Sequence, residues 1–171
     1  MLPEIATLLA RAETGRFMLD ELLSVLDEKD YDSRPFEGEW SVREAVAHVA
    51  SADLAVAQLV SEEQGDLGAA LSDREHRWLA LRALAVPELH RAVQQARKSV
   101  HRAMAALAFE RLGGAVLLPA SDAWGRQRAM DLRSYLASWA MHDLEHVEQI
   151  RDALRAPLNP ALVALSARLR Q

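Results

Sequence analysis

The chain of 171 residues contains no cysteine, and this absence limits its chemistry. Disulfides and thiolate ligands are excluded, so histidine and carboxylate side chains are the strong metal donors that remain. Aromatic residues are also scarce, at 5%, whereas half of the residues are hydrophobic. The core must therefore come mainly from Ala, Leu and Val, and a core of such side chains favours helices that pack closely together.

The sequence also lacks an excess of positive charge and any long apolar run. Its 20 Lys and Arg residues are scattered among 25 Asp and Glu residues, with a net charge of −5. Because no basic stripe is present, we expect no nucleic-acid partner. No apolar run approaches 18 residues, and Glu4 stands where a secretory signal would carry positive charge. We therefore expect a soluble, cytoplasmic protein with no membrane partner, and a chain of this length fits a single domain, residues 1–171.

Apolar residues at helical spacing predict four long helices. They run over about Leu2 to Asp27, Ser41 to Val60, Pro87 to Leu112 and Asp131 to Leu154. The segment 65–86 is harder to interpret, but a possible capping box at Ser72 and Glu75 predicts a short extra helix there. Another short helix is predicted beyond Pro157, and a short extended piece is predicted at residues 116–118. These elements predict an all-α protein, a four-helix bundle.

The second predicted helix has a clear start. Ser41 and Glu44 have the spacing of a capping box, and Trp40 stands before the cap, where an apolar residue packs against the first turn. Further along, Asp53 falls near the middle of the apolar face. A carboxylate there must be paired or hydrogen-bonded, or must lie beside a polar pocket. A bond to a neighbouring helix and a role near a functional site are equally compatible with this pattern.

Two histidines, His142 and His146, lie four residues apart in the fourth long helix, so both imidazoles project from one face. This is a common way for one helix to offer two ligands to a transition metal. The pair alone is weak evidence, because a stable centre needs a third ligand. His48 of the second helix is the best candidate, and three imidazoles would leave a coordination position open. Asp143 is predicted either to orient a ligating imidazole or to make a structural hydrogen bond.

The same stretch fits the H-x-x-E-H pattern of inverted zinc peptidases. That interpretation needs Glu145 beside the metal and a further carboxylate ligand well downstream. Glu145 is predicted to face solvent, and the only carboxylates that follow are on the same helix. We therefore reject it. The remaining histidines are predicted to lie on the surface, and three methionines to fill the core: His76, His90 and His101, and Met18, Met104 and Met141.

With these residues in place, the chain resembles the DinB/YfiT-like superfamily. The resemblance is carried by Trp40-Ser41-x-x-Glu44-x-x-x-His48 and by His142-x-x-x-His146-x-x-Gln149-Ile150, and it spans roughly residues 2–154. It implies a four-helix bundle in which His48, His142 and His146 hold a divalent metal such as zinc or nickel. It also implies a thiol S-transferase or isomerase using a low-molecular-weight thiol, or a metal-dependent hydrolase, commonly as a homodimer.

Three hypotheses remain open from the sequence. The first is an enzyme in which the metal activates a thiol or water for attack on a small electrophile. The second is a non-catalytic, stress-associated bundle that binds a metal or ligand, with a closed coordination sphere or no metal. The third is a structural bundle with no site, which predicts that His48 lies far from the pair of histidines.

Overall fold

The computed structural model describes residues 1–61, 67–118 and 128–155. They form five α-helices and one two-stranded sheet: α1 (Pro3–Ser24), α2 (Val42–Ser61), α3 (Leu67–Arg82), α4 (Val86–Ala105), β1 (Ala115–Leu118), β2 (Arg128–Asp131) and α5 (Leu132–Arg155). Two short 3-10 helices, Glu28–Asp32 and Phe109–Gly113, lie in the connections after α1 and α4. The chain is thus an all-α, four-helix bundle of α1, α2, α4 and α5, as the sequence predicts.

The long helices pack in two extensive pairs, α2 against α4 and α1 against α5, and α2 also contacts α5. The α1–α5 contact is close because of Gly15: a Cβ there would lie 3.2 Å from Cβ of Asp143 and 3.3 Å from Cγ of Leu144. An added Cβ would be tighter than an ordinary van der Waals contact, so a neighbouring atom of α5 would have to shift by a few tenths of an ångström. The contact between α2 and α5 is the one that places the predicted metal ligands.

The start of α2 is fixed as its sequence predicts. The backbone N–H of Glu44 donates to Oγ of Ser41 at 3.3 Å, and the backbone N–H of Ser41 donates to Oε2 of Glu44 at 2.9 Å. Each side chain thus satisfies a backbone donor that the first turn leaves free. Desolvation raises the pKa of the Glu44 carboxyl, but the hydrogen bonds from Ser41 and the positive charges of Arg34 and Arg82 outweigh it, so the pKa is lowered.

Several predicted boundaries were wrong. The third long helix ends at Ala105, and the chain then turns into a 3-10 helix that reaches Gly113. The extra helix α3 begins at Leu67, so Ser72 lies inside it and does not cap it. The short extended piece is confirmed as β1, whose Val116 pairs with Met130 of β2. The helix predicted beyond Pro157 lies outside the described residues.

The methionines divide between core and surface. Met104 is fully buried, as predicted, but Met18 and Met141 are 40% and 38% exposed, so their assignment to the core was wrong. Phe17, beside Met18 on α1, is 64% exposed. Along the described chain, no helix combines the length and apolar character that a membrane crossing requires.

Candidate metal centre

His48 of α2 meets His142 and His146 of α5, so the three imidazoles form one cluster, named here the histidine triad. Nε2 of His142 lies 3.1 Å from Nε2 of His48 and 3.1 Å from Nε2 of His146. One ligand atom from each ring falls within 4.8 Å of the others. The structure therefore brings together all three residues that the sequence proposes as metal ligands, and the hypothesis of a bundle without a site is wrong in its prediction that His48 lies far away.

These separations fit a shared cation. Two nitrogens bound to one tetrahedral zinc at 2.0–2.1 Å would be about 3.3 Å apart. The two measured separations are close to this value, and the facing atoms are all Nε2. Three convergent imidazole nitrogens are a donor set suited to a divalent transition metal.

Gln149 orients one of the three rings. Oε1 of its amide lies 2.8 Å from Nδ1 of His146, one turn away on α5. An amide oxygen only accepts, so Nδ1 carries the proton and Nε2 of the neutral ring presents its lone pair to the cluster. Nδ1 of His142 is buried and has no hydrogen-bond partner among the described residues. Gln149 thus fixes the tautomer of His146 that ligation needs.

Burial keeps the rings neutral. Desolvation, together with the neighbouring imidazoles, lowers the pKa of His48 to about 3 and that of His142 to about 4. The pKa of His146 is also lowered, because desolvation outweighs the favourable bond to Gln149. Neutral imidazoles are the form that binds metals, so protons do not compete for the triad near neutral pH.

Two tryptophans form one side of the centre. The ring centroid of Trp40 lies 4.7 Å from that of His48, and the Trp40 ring stacks on His146 at 6.2 Å with a 14° angle between the planes. Trp78 of α3 lies 5.8 Å beyond Trp40. A pocket of about 260 Å³ opens here, lined by Trp40, His48, Trp78, Arg74 and Glu75. The triad is thus reached from the side where α3 covers α2.

The two acidic residues singled out in the sequence have a structural role. Asp53 is fully buried and accepts hydrogen bonds from Arg16, Arg97 and Trp139 at 2.9, 3.1 and 3.0 Å. Asp143 accepts from the same two arginines, Nε of Arg16 at 2.9 Å and Nη2 of Arg97 at 2.6 Å. These four charged residues, the buried charge cluster, join α1, α2, α4 and α5. Of the two roles considered for each aspartate, the hydrogen bond to neighbouring helices is the one observed.

The other histidines lie apart from the triad. His90 is half-buried and its Nε2 is hydrogen-bonded to the hydroxyl of Tyr31, so it is not the free surface residue that was predicted. His101, at the surface, lies 2.9 Å from Oε1 of Glu13, and His76 is exposed. Glu145 is exposed too, which supports the rejection of a peptidase motif.

Four residues of this region had no functional role predicted from the sequence. Trp40 was expected only to pack at the start of α2, and Trp78 and Arg74 lie in segment 65–86, for which only a short helix was predicted. Gln149 was part of the family pattern but received no role. Its place three residues after His146, on the same helical face, is the one signal that would have suggested a partner for that ring.

Comparison with known proteins agrees with this architecture. The family model described as the DinB superfamily matches residues 11–150. No curated protein matches the chain by sequence. Among solved structures, YfiT from Bacillus subtilis, described as a probable metal-dependent hydrolase with an unusual four-helix bundle topology, is similar at a TM-score of 0.62 and 17% identity; the match covers 92% of this chain and 90% of YfiT.

Two further solved structures are similar. A mycothiol-dependent maleylpyruvate isomerase matches at a TM-score of 0.69 and 19% identity, over 87% of this chain and 61% of the isomerase. The chain thus spans less than two thirds of that enzyme. A four-helix bundle protein, TT2238, matches at 0.59 and 21% identity, over 86% of this chain and 98% of its own. At these identities the likeness shows a shared fold.

Proposed function

This chain belongs to the DinB superfamily, and on that premise we propose that it is a metal-dependent enzyme whose histidine triad binds a divalent transition metal, with zinc or nickel the best fit. When bound, such a metal would act as a Lewis acid that lowers the pKa of a thiol or of water and so supplies a nucleophile near neutral pH. The nucleophile would attack a small electrophile held in the adjoining pocket.

The single observation that carries this proposal is the convergence of three Nε2 atoms from two helices at ligand spacing. Because the three ligands are neutral, they leave the full double charge of the cation at the centre, and this charge favours an anionic thiolate or hydroxide. Among the described residues, the triad has no carboxylate or cysteine as a fourth donor. A cation held by these three ligands alone would keep a coordination position for an exchangeable ligand.

The residues around the triad prepare it for this role. Gln149 holds the proton of His146 on Nδ1, away from the metal position. Trp40 covers His48 and His146 and keeps bulk water from one side of the rings. A drier site strengthens the electrostatic effect of a bound cation on its ligand.

Two reaction classes are consistent with this centre, thiol transfer and hydrolysis. One similar structure is named as a mycothiol-dependent isomerase and another as a probable metal-dependent hydrolase. These names support a thiol cofactor and an activated water about equally, since sites and not folds determine chemistry. We therefore propose a thiol S-transferase or a hydrolase, with a low-molecular-weight thiol as the cosubstrate in the first case.

The metal assignment is tested by replacing each triad histidine in turn with Ala and measuring bound zinc by mass spectrometry and calorimetric titration. We expect each variant to lose stoichiometric zinc, while His76→Ala, a change at an exposed histidine, retains it. Zinc retained at one equivalent in all three triad variants would refute the assignment.

The reaction class is tested on the zinc-loaded protein with a simple alkyl halide and with an activated ester. Conjugation that needs mycothiol or bacillithiol and disappears in His142→Ala would identify a transferase. Hydrolysis without thiol, equally dependent on His142, would identify a hydrolase.

The competing hypothesis is a non-catalytic bundle that binds a metal or a ligand. It predicts either bound zinc with a closed coordination sphere and no exchangeable water, or no bound metal, and in both cases neither activity. Electron–nuclear double resonance of the cobalt-substituted protein in H₂O and D₂O would separate the two, because a bound water gives exchangeable proton signals.

We also propose that the protein is a homodimer. Phe17 and Met18 on α1 and Met141 on the adjacent α5 are unusually exposed for their size, and burial in a symmetric interface would remove them from water. Light scattering after size exclusion tests this: Phe17→Glu should shift a dimer toward monomer, and a wild-type protein that elutes as a monomer would refute it.

A further inference from the structure

We propose that Arg74 makes the pocket beside the histidine triad a site for a small carboxylate-bearing molecule, whose carboxylate pairs with the guanidinium while its carbon skeleton lies against Trp40 and Trp78. This inference rests on the proposed function, since it names the class of molecule that would be brought to the metal centre.

The pocket limits the size of the molecule. Its volume of about 260 Å³ lies just below the range of roughly 300–1,000 Å³ that is typical of small-molecule sites. In liquid water that volume would hold about nine molecules. A peptide or a nucleotide would not fit within it, whereas a compact acid of about ten non-hydrogen atoms would. His48 is part of the lining, so a molecule in the pocket lies beside the triad.

The two indoles make the walls apolar and rigid. Nε1 of Trp78 donates to the backbone oxygen of Glu44 at 2.9 Å, and the guanidinium of Arg82 lies 4.7 Å from the Trp78 ring centroid. Trp40 is held between Trp78 and His48, with centroid distances of 5.8 and 4.7 Å. Flat aromatic surfaces that are already fixed in place favour a planar or unsaturated skeleton.

Arg74 is the polar group of this pocket that still needs a partner. Its neighbours on α3 are engaged: Arg77 donates to Gln58 and Asp73, and Arg82 to Glu44. Among the described residues, no hydrogen bond or ion pair engages the half-buried Arg74. A partly desolvated guanidinium without an anion is costly, and a bidentate carboxylate matches its planar fork.

The position of Arg74 relative to the triad also points to an anion. Arg74 and His48 line the same pocket, so the guanidinium lies beside one of the three proposed ligands. With a divalent cation on the triad, this pocket would have two positive centres beside it. An anionic group in the pocket would relieve this repulsion. Glu75, the acidic residue of the lining, is exposed, where solvent screens its charge.

A carboxylate is favoured over a phosphate because, among the residues that the structure describes, the pocket lining supplies a single cationic side chain. Phosphate esters carry more charge and more acceptor oxygens, and they are usually bound by several donors or by a helix N-terminus. One planar guanidinium beside two indoles is better matched to one planar carboxylate on a hydrophobic skeleton.

The test compares benzoate with its neutral analogue benzamide on the zinc-loaded, full-length protein. Binding is measured from the shifts of the four tryptophan indole N–H signals in two-dimensional NMR, assigned with single Trp→Phe variants. We expect benzoate to bind more tightly than benzamide and to shift the Trp40 and Trp78 signals. In Arg74→Gln this preference should fall by about tenfold, the size of one charge-assisted hydrogen-bonded pair.

The controls separate a local role from a general effect of charge. Arg91→Gln removes the same charge from an exposed site on α4, where the side chain is 73% exposed, and should leave the preference unchanged. Arg74→Lys keeps the charge without the planar guanidinium and should therefore retain part of the preference for benzoate. Circular dichroism and stoichiometric zinc verify that each variant is folded. If Arg74→Gln misfolds, the Arg74→Lys variant decides: an undiminished preference there would contradict bidentate pairing.

The possible failures are distinguishable. If Arg74→Gln leaves the preference intact but His142→Ala abolishes it, the carboxylate binds the metal, and the role of Arg74 is refuted while the proposed function stands. If His142→Ala keeps its zinc but Arg74→Gln removes the preference, the metal assignment is in error and the acid site is supported. Equal loss in the Arg91 and Arg74 variants, tighter binding of phenyl phosphate than of benzoate, or no binding by either probe would overturn the proposal.

Discussion

Replacing Asp53 with Asn should strongly destabilise the bundle without displacing the metal. The change is nearly isosteric, and Oδ1 can still accept the bond from Trp139, now 3.0 Å long. It removes one negative charge from the buried charge cluster, in which Arg16 and Arg97 are balanced by Asp53 and Asp143. The interior is then left with an excess of one positive charge, which Glu13, 3.6 Å from Nη1 of Arg97 but 44% exposed, compensates only weakly.

The size of the expected loss of stability follows from the burial of these side chains. The side chains of Arg16, Arg97 and Asp53 are only 5%, 7% and 1% exposed, so water cannot stabilise the orphaned charge. Breaking a buried pair by removing one partner costs about 3–5 kcal/mol. In a chain of this size each kcal/mol lowers the melting temperature by about 2–4 °C, so we expect a fall of roughly 6–20 °C.

This expectation requires that Asp53 carries a negative charge in the folded protein. Burial raises the pKa of its carboxyl, and the two guanidiniums and the indole N–H of Trp139 act in the opposite direction. Both carboxylate oxygens accept from N–H donors, an arrangement that favours the charged form.

The assay is urea unfolding followed by circular dichroism, with calorimetric zinc titration on the same samples. Asp152→Asn, a change at an exposed acid of α5, is the matched control and should alter stability by less than about 0.5 kcal/mol. Zinc affinity should stay within a few-fold of wild type in folded Asp53→Asn. A loss of stability below about 1 kcal/mol would refute the electrostatic reasoning. Loss of zinc from the folded variant would indicate that Asp53 takes part in zinc binding.

Three further predictions concern the triad and the start of α2. Unfolded histidine titrates near pH 6.5, whereas burial holds the pKa of His142 at about 4, so the metal-free protein should lose stability as the pH falls from about 6.5 toward 4. For this ring the loss at pH 5 is at most about 2 kcal/mol, and less because it is partly exposed. In urea unfolding His142→Gln should reduce the acid loss by the share of this ring, while His48 and His146, whose pKa values are also lowered, keep theirs; His76→Gln should leave the loss unchanged. Gln149→Leu should weaken zinc binding by about 10–100-fold in calorimetric titration, because it removes the hydrogen-bond partner of Nδ1 of His146. Gln94→Leu, a change at an exposed site on α4, should leave zinc affinity unchanged; equal affinities in the two variants would contradict the role of Gln149 in orienting His146. Ser41→Ala removes the capping bond and should cost about 1 kcal/mol in urea unfolding, with no effect on zinc stoichiometry.

The sequence by itself determined the helices and the composition of the candidate metal centre. Apolar spacing specified four long helices, and Ser41 with Glu44 specified where α2 starts, because capping depends on residues three positions apart. The four-residue interval between His142 and His146 placed both rings on one face, since helical geometry is local. The absence of cysteine restricted the donor set to histidines and carboxylates.

Only the tertiary structure decided which partners meet across the bundle. Gly15 sets the approach of α1 to α5, and the buried charge cluster joins four helices through residues up to 127 positions apart. No local pattern encodes such pairings, so the roles of Asp53 and Asp143 stayed open until the helices were packed. The same holds for the distance from His48 to the pair and for the covering of the triad by Trp40 and Trp78. Helix periodicity is a property of neighbouring residues, whereas a site shared between helices depends on the register in which their surfaces interlock.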